Sequence, residues 1–182
     1  MSMPNVTWSR RPIGVVIHEN KRDVKNNRAR LLREWVFPFW PDAPIYGSWS
    51  DAGQKELGRK ILPVEHSALA RTLQKFRCTI TFPASGSGWA TAKPWECFSH
   101  GTVCFFHPDY DEQDHILGDA PKELHDWLRV DSPEIFRRRV NVMSRDYQVW
   151  HSVLEQQHQH AVKHVLESRA GMAHIERALG LR

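Results

Sequence analysis

The chain has 182 residues, 41% hydrophobic and 25% charged, with a net charge of +4. That balance describes a globular chain with a sizeable core and excludes a disordered or collagen-like one. No apolar run nears the roughly 20 residues that span a bilayer, and residues 1–11 lack the apolar stretch of a signal peptide. Cys78, Cys97 and Cys104 form no CxxC pair and sit among apolar residues, which reads as reduced, buried thiols of a cytosolic protein. The small positive excess allows an anionic partner without requiring one.

Residues 13–17 are a β-branched apolar run that fits a strand buried on both faces. The polar stretch His18, Glu19, Asn20, Lys21 and Arg22 follows. Asp23 is placed to cap a helix carrying Val24, Leu31, Leu32, Trp35 and Val36, with Lys25, Arg28, Arg30 and Arg33 on its polar face; Pro38 ends it. Residues 44–46 and 60–64 read as short strands, with a loop from Gly47 to Gly53 between them. Ser67 caps a helix bearing Leu69, Leu73 and Phe76, and residues 78–82 alternate as a strand should.

A small-residue loop comes next, followed by a helix with Glu96 in its second turn and Gly101 as its stop. Residues 102–106 are another strand, and residues 107–119 are a polar, acidic loop. Residues 121–126 give at most one helical turn before a last strand at 127–130. Ser132 as cap, Pro133 and Glu134 open a helix that runs to about Ser144. Trp150, Leu154, Ala161 and Val165 then recur at helical spacing until Gly171 breaks the helix.

This alternation predicts an α/β fold: a single Rossmann-like, doubly wound parallel sheet of about six strands over residues 1–145, with a C-terminal helical tail over 146–182. The simplest strand order is 3-2-1-4-5-6, with the ligand crevice where strands 1 and 4 lie side by side. Asn20, Lys21 and Arg22 would then face the loop of Ser85, Gly86, Ser87, Gly88 and Trp89. A strand, a glycine-rich loop and a helix start together make an anion site, because free N–H groups and the helix dipole point at the ligand. The same loop also serves as an ordinary strand–helix connection, and Glu96 also serves as a carboxylate that favours early helical turns.

Lys93, Pro94, Trp95, Glu96 and Gly101 fit a Pro-x-Glu-x-x-x-x-Gly helix. With the small-residue loop before it and the apolar strand after it, this stretch resembles the C-terminal, donor-binding half of GT-B glycosyltransferases. It looks closest to phage-encoded enzymes that glycosylate modified DNA bases. The resemblance covers residues 13–144 and implies a nucleotide-sugar donor such as UDP-glucose. Glu96 would hold the ribose hydroxyls, residues 85–88 and the helix start would hold the diphosphate, and Lys21, Arg22 or Lys93 would neutralise it. It implies no metal and no other cofactor, and a DNA acceptor. It also implies an N-terminal GT-B domain or partner chain, since this length holds one Rossmann-like unit where a full enzyme has two. A phage-encoded enzyme would work in the cytoplasm of a host bacterium, with no membrane contact.

His18 and His107 both end strands and are placed for phosphate or sugar contacts, against a plain capping role. Asp109, Tyr110 and Asp111 match an Asp-x-Asp metal pattern, but after Pro108 they read as a turn, with Asp111 kept as a sugar contact. His160 and His164 share a helix face as a metal pair would, without a third ligand at supporting spacing. The basic runs 28–33 and 137–139 read as solvated helix faces. Two other classes of function remain open: a non-catalytic Rossmann-like nucleotide- or partner-binding module, and a DNA-binding protein that needs no nucleotide.

Overall fold

The computed structural model describes Trp8 and residues 11–20, 27–83 and 91–178. In chain order the elements are β1 (Arg11–Ile13), β2 (Val15–Val16), α1 (Arg28–Trp35), β3 (Ile45–Tyr46), α2 (Asp51–Leu57), a 3-10 turn (His66–Ala68) and α3 (Leu69–Leu73). Then come β4 (Phe76–Thr81), α4 (Lys93–His100), β5 (Val103–Phe106), α5 (Lys122–Leu128), α6 (Pro133–Arg145) and α7 (Tyr147–Ala178). All strand pairings are parallel: β1 with β4, β4 with β5, and β2 with β3.

Gly14 divides the first predicted strand in two. Its N–H bonds the Cys78 carbonyl, while the next residue, Val15, bonds the Pro44 carbonyl on the other side. The strand thus changes partners at one residue. A Cβ at Gly14 would lie 2.4 Å from the Phe76 ring, so only glycine fits where β1 meets β4.

The neighbour order across both sheets is Leu62, β3, β2 and β1, β4, β5, Arg129, with Leu62 and Arg129 joined as single parallel bridges. That is the expected order of segments, but the count of six strands is corrected to five plus two bridges. Leu62 bonds both ways with β3, and then Pro63, which has no N–H, ends the ladder. At the other edge α5 runs on to Leu128 and takes Trp127 and Leu128 into a helix, so only Arg129 and Val130 are left to meet Phe106.

Two helices differ from expectation. Residues 51–57 are helical, with the Ser50 hydroxyl accepting from the Gly53 N–H and Gly58 ending the helix at φ 72°. Gly171 does not break α7, which is continuous to Ala178. α7 packs on α4, α5, α6 and β5, with Trp150, Val153, Leu154 and Ala161 buried. The buried Gln157 makes this docking specific: its amide donates to the Thr102 carbonyl and accepts from the Cys104 N–H, completing hydrogen bonds of the β5 strand. The three cysteines are buried and free. No described helix is long and apolar enough to cross a membrane.

Candidate functional site at the carboxyl edge of the sheet

The carboxyl ends of β2 and β4 lie on neighbouring segments, and three cationic or titratable side chains meet there. β2 runs out through Ile17 into His18, whose Nδ1 accepts from the Ser48 N–H at 3.1 Å. Asn20, also at this exit, is partly buried. Across from them Asn27 caps α1, accepting from the Arg30 N–H at 3.0 Å, and so fixes Arg28 as the first helical residue. The Arg28 guanidinium turns back and donates to the His18 carbonyl at 2.7 Å. Its Nε is buried and has no hydrogen-bond partner among the described residues.

From the other side Lys93, the first residue of α4, extends its ammonium to the Val16 carbonyl at the end of β2. Helix α4 is thereby tied to the strand beside β4 through one charged contact. Burial lowers Lys93 to about 8; Arg28 adds to the effect, and Cys97, Cys104 and Glu96 oppose it. Arg28 is lowered as well, by burial, with Tyr110 opposing. His18 is lowered by burial and then by Lys93 and Arg28. Burial disfavours a positive charge on all three groups, and positive neighbours add to it at His18 and Lys93. An anion entering here would relieve both.

Glu96 lies in the first turn of α4, one turn earlier than the sequence reading has it, and is partly buried. Pro94 at the helix start, and Gly101 in the left-handed region at φ 80°, bound that helix as expected. Lys21, Arg22 and residues Ser85, Gly86, Ser87, Gly88 and Trp89 lie outside the described residues. The far end of the small-residue connection is fixed, however. Tyr110 Oη accepts from the Thr91 N–H at 2.9 Å and lies 3.0 Å from the Thr91 hydroxyl. Burial pushes Tyr110 up to about 12, against the Thr91 hydrogen bonds, so it stays a neutral phenol at physiological pH.

Two expected contacts are built into the scaffold instead. His107 is buried, with its ring 4.6 Å from Trp35 and 5.7 Å from Phe82, and its Nδ1 accepts from the Asp109 N–H. Burial lowers it to about 4, which keeps it neutral. Asp111 is 1% exposed, and its carboxylate accepts from the N–H groups of His115, Ile116 and Leu117. It organises the loop from within and leaves no oxygen directed at solvent.

The paired histidines of α7 also have a packing role. His164 stacks on Trp95 at 4.2 Å and 10°, and His160 lies 2.6 Å from the Ile116 carbonyl through Nε2. Among the described residues no group of three or more His, Cys, Asp or Glu is placed to hold a metal ion.

Arg28 is the residue that sequence reasoning misplaced, since it was assigned to a solvated face. The missed signal is Asn27. Starting the helix at Asn27 rather than Asp23 makes Arg28 the first helical residue, directly above the strand ends.

No protein-family model and no curated protein matches the sequence. Solved structures do. A mutant T4 phage β-glucosyltransferase in complex with UDP-glucose superposes with a TM-score of 0.76 at 12% identity, over 97% of this chain and 50% of that one. The DNA-modifying enzyme β-glucosyltransferase, solved with and without uridine diphosphoglucose, gives 0.75 at 12% identity, over 99% and 54%. T4 phage β-glucosyltransferase with UDP and Mn2+ gives 0.71 at 12% identity, over 98% and 50%. The chain therefore spans about half the length of the structures it matches, and the resemblance read from the Pro-x-Glu helix holds in three dimensions as a GT-B-like fold.

Proposed function

We propose that this chain is the donor-binding half of a GT-B-type glycosyltransferase, binding a nucleotide sugar through residues 85–88, Lys93, Arg28 and Glu96. The sugar would pass to an acceptor supplied with a second domain or partner chain, and a base in phage DNA is the acceptor we favour. The observation that carries the reading is the pair of desolvated cations, Arg28 and Lys93, held on strand-end carbonyls with no ion-pair partner among the described residues. A nucleoside diphosphate supplies the charge, and the dipole of α4 adds to its attraction. The fold shared with T4 phage β-glucosyltransferase, whose structures hold UDP-glucose or UDP, supports the same ligand class. Donor binding in this reading rests on protein groups, without a resident metal.

The test is calorimetry and thermal shift of the chain with UDP, UDP-glucose and other nucleotide sugars, repeated in EDTA and with added Mn2+. Micromolar to low millimolar binding that is lost in Arg28→Ala, and much weakened in Glu96→Ala, is expected. No binding of any nucleotide at millimolar concentration overturns the reading. Binding that appears only with Mn2+ overturns its metal-free part.

A further inference from the structure

Helix α6 buries Phe136, Val140 and Met143 against the sheet and turns residues 134, 137, 138, 141, 142 and 145 outward. Its treatment of charge differs from that of three other helices. α1, α5 and α7 each offset an exposed cation with a carboxylate four residues on: Arg30 with Glu34, Lys122 with Asp126, and Lys163 with Glu167. On α6 the positions four beyond Arg137 and Arg138 hold Asn141 and Val142. Among the described residues no ion pair involves Arg137, Arg138 or Arg145. Arg137 lies 5.1 Å over the Phe39 ring, and Val142 is 38% exposed in the middle of the face.

Beside this ridge, between α5 and α6, runs a groove of about 560 Å³ floored by Trp127 and Val142, with Lys122 and Arg138 on its walls. Arg139 is occupied, donating to the carbonyls of Trp127 and Arg129. The acidic groups in reach are Glu134, Glu123 and Asp126, the last already paired with Lys122.

We propose that the outward face of α6, with Arg137 and Arg138 at one end and Arg145 at the other, is a contact surface for the phosphate backbone of duplex DNA. Seven residues of helix separate Arg138 from Arg145, a rise of about 10 Å. That is close to the ~12 Å width of a duplex major groove, so the two ends reach phosphates on opposite lips. Asn141 between them adds an uncharged donor. The charge of this face, three arginines with no ion pair among the described residues, suits a polyanion. The proposal rests on the acceptor part of the reading above. It is tested without nucleotide, so its failure is distinct from failure of the donor site.

The experiment is fluorescence anisotropy of a labelled 24-base-pair duplex with the full chain, between 50 and 200 mM salt. The wild type is expected to bind with a log K that falls linearly with log salt. The triple variant Arg137→Gln, Arg138→Gln, Arg145→Gln should bind at least tenfold more weakly at 100 mM salt. Its slope should be shallower by about 2 to 3, at 0.9 per phosphate contact removed. A charge-matched control, Lys55→Gln, Lys60→Gln, Arg71→Gln, should keep the wild-type slope, and unchanged circular dichroism should verify both folds. Three results overturn the proposal: no duplex binding at 50 mM salt, equal loss in both triple variants, or wild-type binding by the α6 variant.

Discussion

Two regions at the carboxyl ends of the strands treat charge in opposite ways. After β5, the loop closes on itself: Asp111 is enclosed by three backbone N–H groups, and Asp114 accepts from Arg129 at 2.5 Å. Asp111 and Asp114 are both held by groups of this edge, so the loop serves as scaffold. On the β2 and α4 side, Arg28 and Lys93 lie on carbonyls, and the Arg28 Nε is buried without a partner among the described residues. Burying a charge without an opposite one costs stability, and proteins retain such an arrangement where a ligand completes it. Tyr110 links the two regions, since it stands in the closed loop and holds Thr91 at the entrance to α4.

If that contrast is right, damage to the closed loop lowers stability most. Asp111→Ala removes the acceptor of three N–H groups, two of them buried, and should cost about 3 to 5 kcal/mol, read as a lower midpoint in urea. A cost below about 1 kcal/mol would mean that the loop is not held from within. Next in size is the acid response of His107. Its value falls to about 4 in the fold, chiefly through burial. The unfolded chain therefore takes up the proton first as pH drops. This contribution is complete above about pH 6.5 and is lost toward pH 4, with a limit of about 3 kcal/mol. Urea titrations at pH 7.5, 5 and 4 should show a flatter acid branch for His107→Phe than for the wild type; parallel curves would refute the assignment.

The legible part of this fold is what local chemistry dictates. β-branched runs gave the strand segments and their order, and Ser132, Pro133 and Gly101 gave helix ends where the structure has them. The illegible part depends on neighbours. Gly14 reads as one small residue inside a strand, yet the Phe76 ring makes it the point where the strand changes partners. Residues 51–57 looked like loop because Gly53 lies in them, and that glycine lets the Glu19 carboxylate pack close: a Cβ would stand 2.0 Å from its oxygen. At the candidate site, Lys93 and the α4 boundaries were readable. Arg28 was not, because a choice between two caps moved it from the strand ends to a solvated face. His107 and Asp111 carried residue types that suit a sugar site, and only burial reveals their structural role.

The smallest effect on stability, and the sharpest on function, is expected at Lys93. Replacing it with Met keeps the aliphatic stem and removes the ammonium from the Val16 carbonyl. One hydrogen bond is lost and one desolvated charge is relieved, and such exchanges are commonly neutral or stabilising. At pH 7 the apo stability should change by less than about 1 kcal/mol. The pH dependence gives the sign: Lys93 falls to about 8 in the fold, so the unfolded chain binds the extra proton between about pH 10.5 and 8. Wild-type stability therefore declines as pH drops through that window and is unaffected by this group below it. Lys93→Met lacks the decline, so it should gain on the wild type from pH 10.5 to pH 8 while losing most of the thermal shift produced by UDP. A variant that loses stability at pH 7 by several kcal/mol yet binds UDP normally would reverse the assignment, making Lys93 a strut of the scaffold and leaving Arg28 as the only cation among the described residues of the open edge with a claim on the diphosphate.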